Sequence, residues 1–106
     1  MAKWMMFDCK VLNVVDGDTL DVEFDVGFNI KFKARVRLAD INTPEKGQPD
    51  YTEAAAFVFD HVTAGMYAYV WKLDKYGRYI VRLFLPDGTS LNQLLIEHGL
   101  AKPYKE

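Results

Sequence analysis

Alternating apolar and polar positions dominate the first third of the chain. In "TLDVEFDV", residues 19 to 26, Leu20, Val22, Phe24 and Val26 alternate with mostly acidic neighbours. A period of two predicts a strand with one buried face. "CKVLNVV", residues 9 to 15, reads as a preceding strand, and the "DGD" between them as a tight turn that carries Asp16 and Asp18 to a strand end. After a turn at Gly27, "FNIKFKARVRL" sets Ile30, Phe32, Ala34, Val36 and Leu38 on a core face. Lys31, Lys33, Arg35 and Arg37 form a wholly basic opposite face.

Pro44 ends this pattern and "KGQPD" is a breaker-rich loop. Asp50 and Glu53 have the spacing of a capping box, which predicts a helix over residues 51 to 63. Tyr51, Ala54, Ala55, Val58 and Val62 would face the sheet. "MYAYVWKL" (66 to 73) and "YIVRLFLP" (79 to 86) predict two more strands around the turn "DKYGR". Ser90 and Gln93 predict a second cap, and Leu91, Leu94 and Leu95 a short helix stopped by Gly99. The order is three strands, helix, two strands, helix. Five short strands in a small domain are best closed into a barrel, which removes exposed edges; an open antiparallel sheet with helices on one face is the alternative.

The 106 residues fit a single domain, 1 to 106, with enough chain for one core. No apolar run reaches the length of a membrane span, and the start lacks the h-region of a signal peptide, so the expectation is a cytoplasmic protein. Cys9 is the sole cysteine, which excludes an internal disulfide and a multi-cysteine zinc site; it reads as a small apolar strand residue. A net charge of −2 argues against wrapping DNA by bulk positive charge, yet leaves room for a locally basic cleft.

Four polar clusters remain: Asp16 with Asp18; Arg37 at a strand end; Asn42, Thr43 and Glu45 in "NTPE"; and Lys75, Tyr76 and Arg78 in "DKYGR". Each alone is what a solvated turn or strand face carries. Converging, they suit an anionic substrate. A phosphodiester gains charge when attacked and needs fixed cations around it. Arginine's planar fork reaches two phosphate oxygens and stays protonated at any working pH. Calcium accepts carboxylate, amide and backbone oxygens.

Taken in order, "VVDGDTL", "RLADINTPE", "DKYGR" and "LIEHGLAK" resemble the staphylococcal nuclease, or thermonuclease-like, family from about Cys9 to Lys102. The resemblance implies a mainly β fold with helices, a five-stranded OB-like barrel. It implies calcium-dependent hydrolysis of DNA and RNA with low sequence specificity, leaving 3′-phosphates. Residue by residue, Asp18 matches a metal-binding carboxylate, Asn42 falls where a metal-binding aspartate is usual, and Thr43 matches a residue whose carbonyl contributes to the metal site. Glu45 matches the carboxylate that activates water, and Arg37 and Arg78 the arginines that hold the phosphate. Lys75 and Tyr76 match contacts to a terminal phosphate, and Tyr104 is an aromatic platform for a base.

The chain departs from the family in three places. Asn42 keeps an oxygen ligand but gives up a charge, which predicts weaker metal affinity; Asp40 would replace it only if the strand ran regularly through Ala39, which the approach to Pro44 opposes, and Asp16 and Asp21 are other nearby carboxylates. The loop before "DKYGR" is short, and the last C-terminal helix is lacking, so a homo-oligomer is worth considering. Trp4 is a candidate to close the barrel's end. Tyr67, Tyr69 and Trp71 alternate on one strand side and read as packing more than as a stacking surface, while His61 and His98 read as structural. A noncatalytic nucleic-acid or protein binding module of the same fold is the competing function.

Overall fold

The computed structural model describes residues 5–104, so Trp4 lies outside the described residues. Five strands close a barrel in the order β1-β2-β3-β6-β5. They are β1 (Met5–Asp16), β2 (Thr19–Asp25), β3 (Lys31–Leu38), β5 (Tyr67–Leu73) and β6 (Tyr79–Phe84). The two-residue strands β4 (Ile41–Asn42) and β7 (Lys102–Pro103) pair beside the barrel, and helices α1 (Tyr51–His61) and α2 (Leu91–Glu97) pack on it.

β1 closes the barrel because it is long enough to serve two neighbours. Its first part, Met5 to Asp8, pairs with β5; Cys9 to Asp16 pairs with β2, with register shifts at Val11/Asn13 and Val14/Asp16. Such irregularities bend and twist a strand, which closure requires. β3 and β6 run parallel, aligning Val36 with Tyr79 and Leu38 with Val81. The alternation read from sequence faces inward at Leu20, Val22, Phe24, Val36 and Leu38, but Val26, Ile30 and Phe32, expected on the same face, are exposed near the hairpin tip, where the barrel does not cover them. Leu20, Val22, Phe24, Val36, Leu38, Val81 and Leu83 are buried with Val58 of α1 and with Leu91 and Leu95 of α2.

The register of β2 on β3 explains the basic strand face. Asp25 lies opposite Lys31, Glu23 opposite Lys33 and Asp21 opposite Arg35, while Arg37 lies opposite Thr19. Lys31 Nζ is 3.0 Å from Asp25, and Arg35 Nε 2.8 Å from Asp21. The acidic face of one strand answers the basic face of the other at each row but the last, where Arg37 is instead 9% exposed.

Some expectations are corrected. Asp50 does not cap α1 with its side chain; it adopts a left-handed conformation at φ 67°, and α1 ends at His61 with extended Val62 as its C-cap. β3 begins at Lys31 because Phe28 and Asn29 take left-handed turns at φ 55° and 59°. β6 stops at Phe84, where Leu85 and Thr89 close a turn. The Ser90 cap forms as expected, its Oγ accepting from Gln93 N at 3.2 Å. Asn92 is a buried latch on α2: its Oδ1 accepts from Leu83 N at 3.1 Å, and its Nδ2 donates to Ala39 O at 3.0 Å and Val81 O at 3.3 Å. Among the described residues no helix is long and apolar enough to cross a membrane.

Candidate active site

The turn between β1 and β2 is built around Gly17. A Cβ there would meet Ala54 Cβ at 2.8 Å and Thr43 Cβ at 2.9 Å, so only glycine lets this turn press against α1 and the loop after β4. That close approach brings Asp18 to residues far away in sequence. Asp18 Oδ2 accepts the backbone N–H of Thr43 at 3.2 Å and lies 3.9 Å from Arg37 Nη2. Its Oδ1 accepts from Thr19 Oγ1 at 3.3 Å, and its carbonyl accepts from Leu38 N at 2.9 Å.

Arg37 is held on several sides. Its Nη1 donates to Leu38 O at 3.2 Å, and Nη2 donates to Ile41 O at 3.0 Å and to Asn42 Oδ1. Tyr104 covers it, with the guanidinium carbon 5.2 Å from the ring centre. Tyr104 reaches this point because β7 pairs with β4 and because its N–H donates to Asp40 O at 2.8 Å. Arg78 enters from the turn before β6. Asp74 orients it, accepting from Arg78 Nε at 3.0 Å and from its backbone N–H at 2.9 Å. Glu45 is fixed by a turn in which its N–H donates to Gln48 Oε1 at 2.6 Å.

These residues line one open cleft of about 770 Å³ that includes Asp16, Asp18, Arg37, Asn42, Thr43, Glu45 and Arg78. All seven of these residues, singled out from sequence in separate clusters, therefore converge. Lys75 and Tyr76 stand outside its lining, with the Tyr76 ring 5.2 Å from both Lys75 Nζ and the Arg78 guanidinium carbon. Asp40 is directed elsewhere: it has a left-handed backbone and accepts from Arg82 Nη2 at 3.2 Å, so it does not stand in for a carboxylate at Asn42. Gln48, Asp50 and Lys102 line the cleft without having been expected there. Asp50 has the sequence spacing of a helix cap instead, and Lys102 arrives through a strand two residues long.

Burial raises the Asp16 carboxyl above the ordinary range, and its hydrogen bond and charge contact with Asp18 raise it further. Two carboxylates pressed together are an arrangement that a hard cation relieves. Thr43 Oγ1 is also buried beside them without a hydrogen-bond partner. The oxygens of Asp18, Asp16, Asn42 and Thr43 thus fit an oxygen-preferring divalent ion. Two facts limit the charge available to it. Among the described residues no group of three or more His, Cys, Asp or Glu is arranged for a metal, and the Asn42 oxygen is shared with Arg37, leaving one further lone pair. Cys9 takes no part: burial pushes its thiol up to about 12.

The sequence model described as staphylococcal nuclease homologue matches residues 35–106, most of the chain. The chain belongs to the staphylococcal nuclease family. An uncharacterized endonuclease of Escherichia coli is 32% identical over 99 residues, covering 92% of this chain and 61% of that protein. A micrococcal nuclease of Shigella flexneri is 30% identical over 111 residues, covering 96% and 61%. The chain thus spans about three fifths of the length of these curated relatives. Arg37, Asn42, Thr43, Glu45 and Arg78 fall within the matched family stretch, and Asp18 precedes it.

Proposed function

We propose that the chain hydrolyses phosphodiester bonds of DNA and RNA at this cleft, with little sequence preference and with calcium as its ion. The observation that carries the reading is the convergence of Arg37, Arg78, Asp18 and Glu45, from four separate segments, on one polar cleft. Asp18, the remaining lone pair of Asn42 and the Thr43 carbonyl, with Asp16 beside them, would hold calcium. The ion would supply a positive charge next to the reacting phosphate and would favour ionisation of water.

Arg37 and Arg78 bind the non-bridging phosphate oxygens, and the bonds around both guanidinium groups hold them in place before substrate arrives. Glu45 accepts the proton from the attacking water. The water oxygen bonds to phosphorus as the bond to the 5′ oxygen breaks. The leaving oxygen takes up a proton, and the phosphate stays on the 3′ side. Tyr104, outside the cleft's lining but stacked on Arg37, offers a face for a base; Lys75 and Tyr76, on the turn that carries Arg78, extend contact to a further phosphate.

Cleavage of single-stranded DNA and RNA by the pure protein, with calcium or excess chelator, tests this. Calcium-dependent turnover that Arg78→Ala abolishes is the expected result. A second reading, a binding module with little or no turnover, is favoured by the sharing of the Asn42 oxygen with Arg37 and by the lack, among the described residues, of three acidic, His or Cys groups gathered for a metal. Tight binding of the same substrates by folded protein, without cleavage across a wide calcium range, would establish it instead.

A further inference from the structure

At the other end of the β2–β3 hairpin from Arg37 the barrel has a second opening. Phe7, Phe24, Phe32, Val70 and Tyr79, one residue from each barrel strand, line it together with Val26. Its volume is about 160 Å³, which suits a single aromatic ring. Beside it the hairpin tip projects Phe28, which is 97% exposed and held at φ 55° between left-handed Gly27 and Asn29. Bulky side chains rarely adopt this backbone conformation, so the tip holds an aromatic ring out in water on strained backbone.

We propose that the chain pairs with a second copy through this end, each copy seating Phe28 in the opening of the other. Knob and hole lie on the same patch, which a two-fold interface requires because each surface must complement itself. Met5, Val26, Ile30, Phe32 and Leu73 are exposed around them. With Phe28 they offer roughly 600 Å² of apolar surface per copy, near the lower end for specific interfaces. At the hairpin tip itself the charge is already balanced, with Lys31 closed on Asp25 at 3.0 Å, so the tip presents an apolar ring rather than a net charge to its occupant. The pairing leaves both polar clefts open, since Thr19 and Asp25, at the two ends of β2, stand about 20 Å apart along the strand.

Sedimentation of the full chain over a concentration series tests the pairing, with methyl NMR of Val26 and Val70 as a local readout. The natural protein should dimerise with a dissociation constant on the order of micromolar, and both methyl signals should move as it does. Phe28→Asn suits the left-handed tip, so the variant should fold at least as stably while losing the dimer, with cleavage per chain at saturating substrate unchanged. A protein that stays monomeric to roughly millimolar concentration overturns the proposal. So does a dimer that survives Phe28→Asn, which would place the interface elsewhere. Val70 signals indifferent to concentration but shifted by Trp4→Ala would assign the opening to the chain's own first residues and overturn it as well.

Discussion

Asn42 is the residue at which two demands meet. Its oxygen accepts from Arg37, and the same side chain lines the cleft that we propose to hold a cation. Asn42→Asp would restore a charge to both partners. It should lower the calcium needed for half-maximal cleavage by roughly tenfold, the effect of about 1.4 kcal/mol of added attraction, as a calcium titration of both proteins would measure. Glu45→Gln should leave thermal melting nearly unchanged and reduce turnover by roughly a hundredfold or more, the usual loss on removing a general base; unaltered turnover would take Glu45 out of the chemistry. Asp16 gives a pH signature in chelator. Its folded-state carboxyl is raised by burial and by Asp18, so its contribution is fully favourable below the ordinary carboxylate range and is lost as pH rises through the raised value. Asp16→Asn should therefore melt higher than the natural protein at neutral pH without metal, with the difference closing near pH 4.

At the scale of elements, what was legible depended on how local each signal was. The strands of the barrel could be read because alternation is written in consecutive residues, as in Leu20, Val22 and Phe24. β4 and β7 could not: each has two residues and exists only because Ile41 and Asn42 find Lys102 and Pro103 some sixty residues away. The site residues were legible through their motifs, but Gln48, Asp50 and Lys102 owe their places to tertiary folding. Asp50 shows the limit most clearly. Its spacing to Glu53 matches a capping box, yet the left-handed backbone turns its side chain away from that role. Asp50→Gly should then keep or slightly raise stability, where loss of a true cap would cost about 1 kcal/mol. Asn92→Ala should cost about 2–4 kcal/mol in urea unfolding, because Leu83 N–H and Ala39 O lose their partner together.

Across the whole molecule, strand pairing determines where charge is available. Each basic residue of β3 meets an acid on β2 until the last row, so in a mildly acidic protein this strand still delivers one guanidinium to the cleft. Exposed pairs of this kind add little stability, and their value here is positional. The hairpin acts as a counter. A two-residue slip keeps every apolar side chain facing inward but brings Arg35 to the cleft in place of Arg37 and leaves Asp21 with a new neighbour. Correct alignment of this hairpin during folding is therefore something that binding of an anionic ligand can report, and a misaligned molecule would hide its error from any measure of hydrophobic burial.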